Sequence, residues 1–250
     1  MKRIIENIFA RIFALWALIW FALTMLLILI PVWCLGLIKE PKRTIAFIRI
    51  SRIWMGVFLP IAGVRLKIKG KEYFEKGKNY IVVCNHRSFM DVPVTSPGIP
   101  GANKTIAKIE MARIPLFGIV YKRGSVLVDR KSEESRKKSY SAMKEVLNMG
   151  LHMCIYPEGT RNKTGKPLKE FKDGAFRLAV ETGKPIMPAI IFNTDKVLSS
   201  KKFFFFMPGN IEMHFLPPVE TTGLQVEDVK HLRENIFHQM QEKILHHYKS

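Results

Sequence analysis

His86 and Asp91 lie five residues apart in the stretch VVCNHRSFMDVP, residues 82–93. Histidine is suited to taking a hydroxyl proton near neutral pH. A carboxylate on its other ring nitrogen fixes the tautomer and stabilises the imidazolium. Of the seven histidines, only His86 has an aspartate at that offset. Five residues is about 140° round a helix axis, so the two cannot share one helix face. They can meet if His86 sits in the turn after the apolar run YIVVC and Asp91 in the first turn of the helix that follows. One such spacing arises easily by chance and needs company.

Three further stretches offer it. In IYPEGTRNKTG, residues 155–165, Gly159 lets a ligand approach the backbone and Arg161 can bind phosphate through two hydrogen bonds. The same residues also read as a strand-end turn with a surface Glu158–Arg161 pair. KIEMARIPLFGIVYKRGSVLVDR carries Lys108, Glu110, Pro115, Gly118, Gly124, Asp129 and Arg130. GKPIMPAII sets Pro185 and Pro188 around an apolar strand.

The elements that must position these residues alternate. VRLKIKG reads as a half-buried strand, and YIVVC, KTIAK, SVLV, LHMCIYP, IMPAIIF and GNIEMHFLP as further strands. EMARIPLFGIVYK is helical, broken near Pro115. A helix capped by Ser132 and led by Glu133 and Glu134 runs towards Gly150. FKDGAFRLAVETG holds a helix stopped by Gly183. The tail places Val226, Val229, Leu232, Ile236, Met240 and Ile244 at helical spacing. The fold class is therefore α/β, with a mixed, largely parallel sheet flanked by helices.

Charge and apolar patterning place the chain at a membrane. Its 250 residues carry a formal charge of +19, which implies an anionic partner: nucleic acid, a phospholipid surface or a phosphorylated substrate. Residues 12–38 are uncharged, longer than the ~20 residues that cross a bilayer core. This N-terminal hydrophobic segment is a membrane-anchoring helix. Lys2, Arg3 and Arg11 precede it; Lys39, Lys42, Arg43, Arg49 and Arg52 follow. The more basic downstream flank puts the globular part on the cytoplasmic side. TIAFIRISRIWMGVFLPIAG reads as a second, interfacial helix, so a single span and a hairpin dipping into one leaflet both fit. The division is residues 1–61 as anchor and 62–250 as catalytic domain, expected to fold without the anchor. Cys34, Cys84 and Cys154 read as buried thiols. No His/Cys cluster suggests a metal, and His238, His246 and His247 read as solvated. KKFFFFMPGN reads as a hairpin strand with buried rings, the alternative being a dip into lipid head groups.

The four stretches, in this order, resemble the glycerolipid acyltransferase family from about residue 64 to 218. N-H-x-S-x-x-D is complete as Asn85, His86, Ser88 and Asp91. The second block is matched with Met111 in place of the usual Leu. F-P-E-G-T-R-S is matched by YPEGTRN, with Tyr156 and Asn162 as departures. The fourth block is the Pro-bearing strand. The resemblance implies transfer of an acyl group from acyl-CoA or acyl-carrier protein to the sn-2 hydroxyl of lysophosphatidic acid. It implies His86 as base oriented by Asp91, and Lys108, Arg130 and Arg161 as phosphate binders. Glu158, Gly159 and Thr160 are implied at the substrate site, Glu158 and Gly159 shaping it around the glycerol. No metal or other cofactor is implied, and membrane phospholipid, not nucleic acid, is the partner. Glycerol 3-phosphate, another lysophospholipid or an aminolipid precursor are alternative acceptors within the family. A membrane-tethered basic binding module explains the charge and the anchor but not the four motifs.

Overall fold

The computed structural model describes residues 2–249, with side chains from residue 4 to 248. Lys2 and Arg3, read from the sequence as part of the basic flank, have side chains outside that range. In chain order the elements are α1 (Lys2–Cys34), α2 (Lys42–Ile61), β1 (Val64–Lys69), β2 (Ile81–Cys84), α3 (Asp91–Gly98), β3 (Asn103–Lys108), α4 (Phe117–Arg123), β4 (Ser125–Val128), α5 (Glu133–Asn148), β5 (His152–Ile155), α6 (Gly174–Thr182), β6 (Ile186–Phe192), α7 (Thr194–Val197), β7 (Gly209–Phe215) and α8 (Val229–Lys249). Local rules account for several boundaries. Ser132 Oγ accepts from Ser135 N and opens α5. Gly183, in the left-handed region at φ 60°, closes α6.

The strands form one sheet in the order β1-β7-β6-β2-β5-β3-β4. All neighbouring pairs are parallel except β6 and β7, which are antiparallel. β2, β5 and β6 are buried from end to end, as suits central strands covered on both faces. One face packs against α5, α6 and α8, with Phe176, Leu178, Ile236 and Met240 fully buried. The other packs against α1, α2 and α3.

The two N-terminal helices, read from the sequence as an anchor, are also core. Ala14, Ala17 and Met25 of α1 and Phe47, Ile48, Trp54 and Phe58 of α2 join Val82, Cys84, Met187, Ala189 and Ile191 of the sheet in one apolar cluster. The expectation was that residues 62–250 fold alone; their isolation would strip the α1 and α2 side chains from this cluster and leave that sheet face partly uncovered. The protein holds α1 along its length. Phe206 N donates to Ala10 O at 3.2 Å, Trp16 Nε1 to Ile61 O at 2.9 Å, Trp54 Nε1 to Thr24 Oγ1 at 3.0 Å, and Arg123 Nε to Val32 O at 3.4 Å. The opposite face exposes Ile8, Ile12, Leu15, Ile19, Leu27 and Ile30. The uncovered apolar surface of α1 therefore lies on one side.

Other sequence readings need correction. Arg52 is not a free interfacial cation: its guanidinium donates to Pro97 O, Ile99 O and Gly101 O, at 3.1, 2.8 and 2.8 Å. Cys34 is exposed, whereas Cys84 and Cys154 are buried with sulfurs 4.0 Å apart. His247 is half-buried and stacks on Phe192 at 3.9 Å. Of KKFFFFMPGN, only Gly209 and Asn210 enter a strand, opening β7, and the phenylalanine run makes an isolated bridge, Phe206 with Leu198. Phe205 and Phe206 are buried; Phe203 and Phe204 are not.

Candidate active site

The first motif occupies the turn between β2 and α3, at the carboxyl edge of the sheet, where open α/β sheets place their ligands. Asn85 locks this turn to the next strand: its Nδ2 donates to Ile191 O at 3.0 Å, and its Oδ1 accepts from Ile191 N at 2.7 Å. Ser88 Oγ donates to Leu198 O at 2.6 Å and accepts from Met90 N at 3.0 Å. Both polar side chains thus define the backbone path and leave the chemistry to the other two motif residues.

Asp91 is the first residue of α3 and is buried. Its Oδ2 lies 2.7 Å from His86 Nδ1 and also accepts from Arg87 N at 2.7 Å and Ser88 N at 2.8 Å. Its Oδ1 accepts from Thr194 Oγ1 at 2.5 Å. Four donors compensate a carboxylate in the interior. The His86 side chain is 19% exposed. With Nδ1 facing the carboxylate, Nε2 is the ring nitrogen left for a substrate proton.

The second and third motifs close round this pair. The His86 ring stacks on Tyr156 at 4.4 Å. Tyr156 OH is 2.7 Å from Thr95 Oγ1, which itself donates to Asp91 O at 2.9 Å. The hydroxyl that distinguishes Tyr156 from the usual Phe is therefore satisfied by α3. Glu158 Oε1 accepts from His86 N at 2.7 Å and its Oε2 from Lys169 N at 2.8 Å. Gly159 adopts φ 72° in this turn, a conformation that favours glycine. Its carbonyl accepts from Arg130 Nη1. Asn162 N donates to His86 O at 2.6 Å, while Asn162 Oδ1 caps Thr164 N at 3.0 Å. That turn gives the Asn162 departure a structural use.

The expected cations are distributed unequally. Arg161 stacks its guanidinium 3.6 Å from the centre of the exposed Phe89 ring, inside the first motif. It has no carboxylate partner among the described residues. Arg130 reaches the same turn through Gly159, and burial lowers its pKa. A cation held against a desolvation cost suits an anionic ligand. Lys108 lies at the same sheet edge but reaches Glu110 at 3.4 Å, both half-exposed. Thr160 is exposed and accepts from Lys169 Nζ at 2.8 Å.

Sequence reasoning missed Thr194, Thr95, Lys169 and the Arg87–Asp195 pair, whose closest contact is 2.9 Å. Thr194 is 103 residues from Asp91 and no local pattern marks it. The only signal is that β6 ends beside β2, so residues following IMPAIIF fall on the motif turn. A separate group of possible metal donors, Glu212, His214 and His247, lies on β7 and α8. Its Glu212 is already 3.3 Å from Lys69 Nζ and 2.6 Å from His214 Nε2.

Glu158 has a consequence for stability. Burial pushes its carboxyl from an ordinary 4.5 up to about 7, against the opposing pull of the His86 and Lys169 N–H groups. The folded state then binds a proton more tightly than the unfolded state. The resulting stability is fully present below pH ~4.5 and is lost as pH rises through about 7, a range worth on the order of 3 kcal/mol. Melting temperatures of wild type and Glu158→Gln across this range should show the wild type losing ground to the variant as pH rises. A constant difference between them would show that Glu158 stays ionised throughout.

The chain is similar to known proteins in sequence and in fold. The family model described as Acyltransferase matches residues 65–192. The 1-acyl-sn-glycerol-3-phosphate acyltransferase alpha of Mus musculus is 32% identical over 203 residues, covering 79% of this chain and 70% of the relative. The 1-acyl-sn-glycerol-3-phosphate acyltransferase of Escherichia coli (strain K12) is 27% identical over 218 residues, covering 85% and 84%. The crystal structure of a 1-acyl-sn-glycerophosphate acyltransferase from Thermotoga maritima superposes with a TM-score of 0.81 at 22% identity, covering 100% of this chain and 99% of that one.

Proposed function

Since the chain belongs to the acyltransferase family, we propose that it transfers a fatty acyl group from a thioester to the sn-2 hydroxyl of lysophosphatidic acid, giving phosphatidic acid. The relatives' names support the acceptor. The observation that carries the chemistry is the 2.7 Å contact between His86 Nδ1 and a buried Asp91. His86 Nε2 takes the proton of the hydroxyl as its oxygen attacks the thioester carbonyl. The new C–O bond forms, the C–S bond breaks, and the imidazolium returns its proton to the departing thiolate. Asp91 holds the tautomer and stabilises the transient positive charge. No step needs a metal or a further cofactor; acyl-CoA or acyl-carrier protein supplies the acyl group.

Arg161 and Arg130 flank the His86 turn and bind the acceptor phosphate, with Arg161 leaving the Phe89 ring to do so. Lys108 lies further out and assists through field more than contact. Glu158, Gly159 and Thr160 form the floor under the glycerol. Exposed Phe89, Ile114 and Leu116 give the acceptor's chain an apolar rim. The one-sided exposure of α1 favours a hairpin lying in one leaflet over a single span, with the catalytic domain on the cytoplasmic side.

The test of this reading is a kinetic comparison across acceptors and variants. Arg161→Ala should raise the apparent KM for lysophosphatidic acid about 10- to 100-fold, the loss expected for a charge-assisted phosphate contact. The KM for the thioester should stay near its wild-type value. Equal losses for both substrates would make Arg161 structural. A higher kcat/KM for glycerol 3-phosphate or another lysophospholipid than for lysophosphatidic acid would replace the acceptor.

A further inference from the structure

Phe203 is 89% exposed, more than any other large apolar side chain among the described residues. Its neighbour Phe204 is 38% exposed and adopts φ 47°, in the left-handed region. Lys201 and Lys202 precede them, both exposed, and Lys202 Nζ lies 4.1 Å from the centre of the Phe205 ring. Residues 198–208, LSSKKFFFFMP, contain no acidic side chain. An aromatic tip behind two lysines matches the boundary of an anionic bilayer, where rings enter the head-group layer and ammonium groups meet phosphates.

The position of the loop makes that partner specific. Phe206 N donates to Ala10 O of α1, so the loop stands directly beside the helix whose outer face carries Ile8, Ile12 and Leu15. At its other end, Leu198 O accepts from Ser88 Oγ in the turn that holds His86. In α7, just before this segment, Thr194 Oγ1 reaches Asp91. One short stretch therefore joins the lipid-facing helix to the catalytic turn.

We infer that residues 199–204 form a second membrane contact, a Lys-Lys-Phe-Phe tip that enters the head-group layer of an anionic bilayer and sets the tilt of the catalytic turn over the lipid surface. The inference rests on α1 lying in the membrane. Its occupant is the lipid surface itself. The tip orients a site that draws its acceptor from the bilayer; it takes no part in the chemistry.

The experiment uses the full chain in a Cys34→Ser background, where the remaining thiols, Cys84 and Cys154, are buried. A single cysteine replaces Phe203, Leu27 on the outer face of α1, or exposed Lys137 of α5. Each carries an environment-sensitive fluorophore. The protein is reconstituted into phosphatidylethanolamine–phosphatidylglycerol vesicles containing nitroxide-labelled lipid. The Phe203 and Leu27 sites should be quenched by the lipid nitroxide and shielded from aqueous iodide, and the Lys137 site should show the reverse. Quenching at Leu27 with a Phe203 site that behaves like Lys137 would overturn the loop contact alone. Absence of lipid quenching at both sites would overturn the membrane placement of α1 and the loop contact with it. An unlabelled variant guards against the fluorophore drawing the loop into lipid. Phe203→Ser should raise the apparent KM for vesicle-borne acceptor and leave that for a water-soluble short-chain acceptor unchanged. Equal change for both acceptors would overturn the inference.

Discussion

His86→Ala should lower kcat by ~10²–10⁴, the range for removing a positioned general base, and should leave the protein folded. The side chain is partly exposed and its Nδ1 contact is with Asp91, so removing the ring opens no deep core cavity. Its backbone bonds to Glu158 and Asn162 do not depend on the side chain. The loss should appear in kcat and kcat/KM together, because Nε2 engages the hydroxyl most strongly as the proton moves. Single-turnover acyl transfer, followed by thiol release, measures it. A variant retaining more than about a tenth of the wild-type chemical rate would fall outside that range and remove His86 from the role of base.

Asp91→Asn should impair the rate by a similar ~10²–10⁴ through a different route. Asparagine is nearly isosteric here. Its amide oxygen can take the place of Oδ2 and accept from His86, Arg87 and Ser88. Its NH₂ can take the place of Oδ1, provided the Thr194 hydroxyl turns from donor to acceptor. The fold should persist, whereas the negative charge that stabilises the imidazolium is gone. Asp91→Ala would uncover three N–H donors and a hydroxyl in a buried site and should cost stability as well. The contrast between the two variants separates the electrostatic role of the carboxylate from its structural one. Thermal melting of both, beside their kcat values, shows it: near wild-type melting for Asn with a large rate loss, lower melting for Ala. If Asp91→Asn kept its rate, the carboxylate would serve only to brace the turn.

Much of the scaffold for this chemistry was legible in the chain. Alternation in VRLKIKG, the short apolar runs of the central strands, and Ser132 and Gly183 at helix ends are local signals, and local rules read them. His86 and Asp91 were legible because the five-residue offset only makes a pair when a turn meets a helix start, and the apolar run before His86 announces that turn. What escaped depends on topology. Thr194, and Ile191 as the partner of Asn85, meet the motif turn across more than a hundred residues, and no pattern in either segment names the other. The KKFFFF tip misread as a hairpin strand for a similar reason. Phe205 and Phe206 are buried as expected of that reading, whereas Phe203 and Phe204 are exposed. Likewise His247 looked like a solvated residue of a polar helix until β7 and Phe192 were beside it. The anchor was read as separable because hydropathy marks α1 and α2 as suited to lipid. It does not show that their other faces complete the sheet's core.

The most direct measurement is product formation by the purified full-length chain in phospholipid vesicles supplied with lysophosphatidic acid and an acyl thioester, with free thiol and lipid products counted together by mass spectrometry. The account predicts one phosphatidic acid formed for each thiol released, acylated at sn-2, and the rate of both products lowered ~10²–10⁴ with His86→Ala. Thiol release without phosphatidic acid, or phosphatidic acid formed undiminished by His86→Ala, would contradict it.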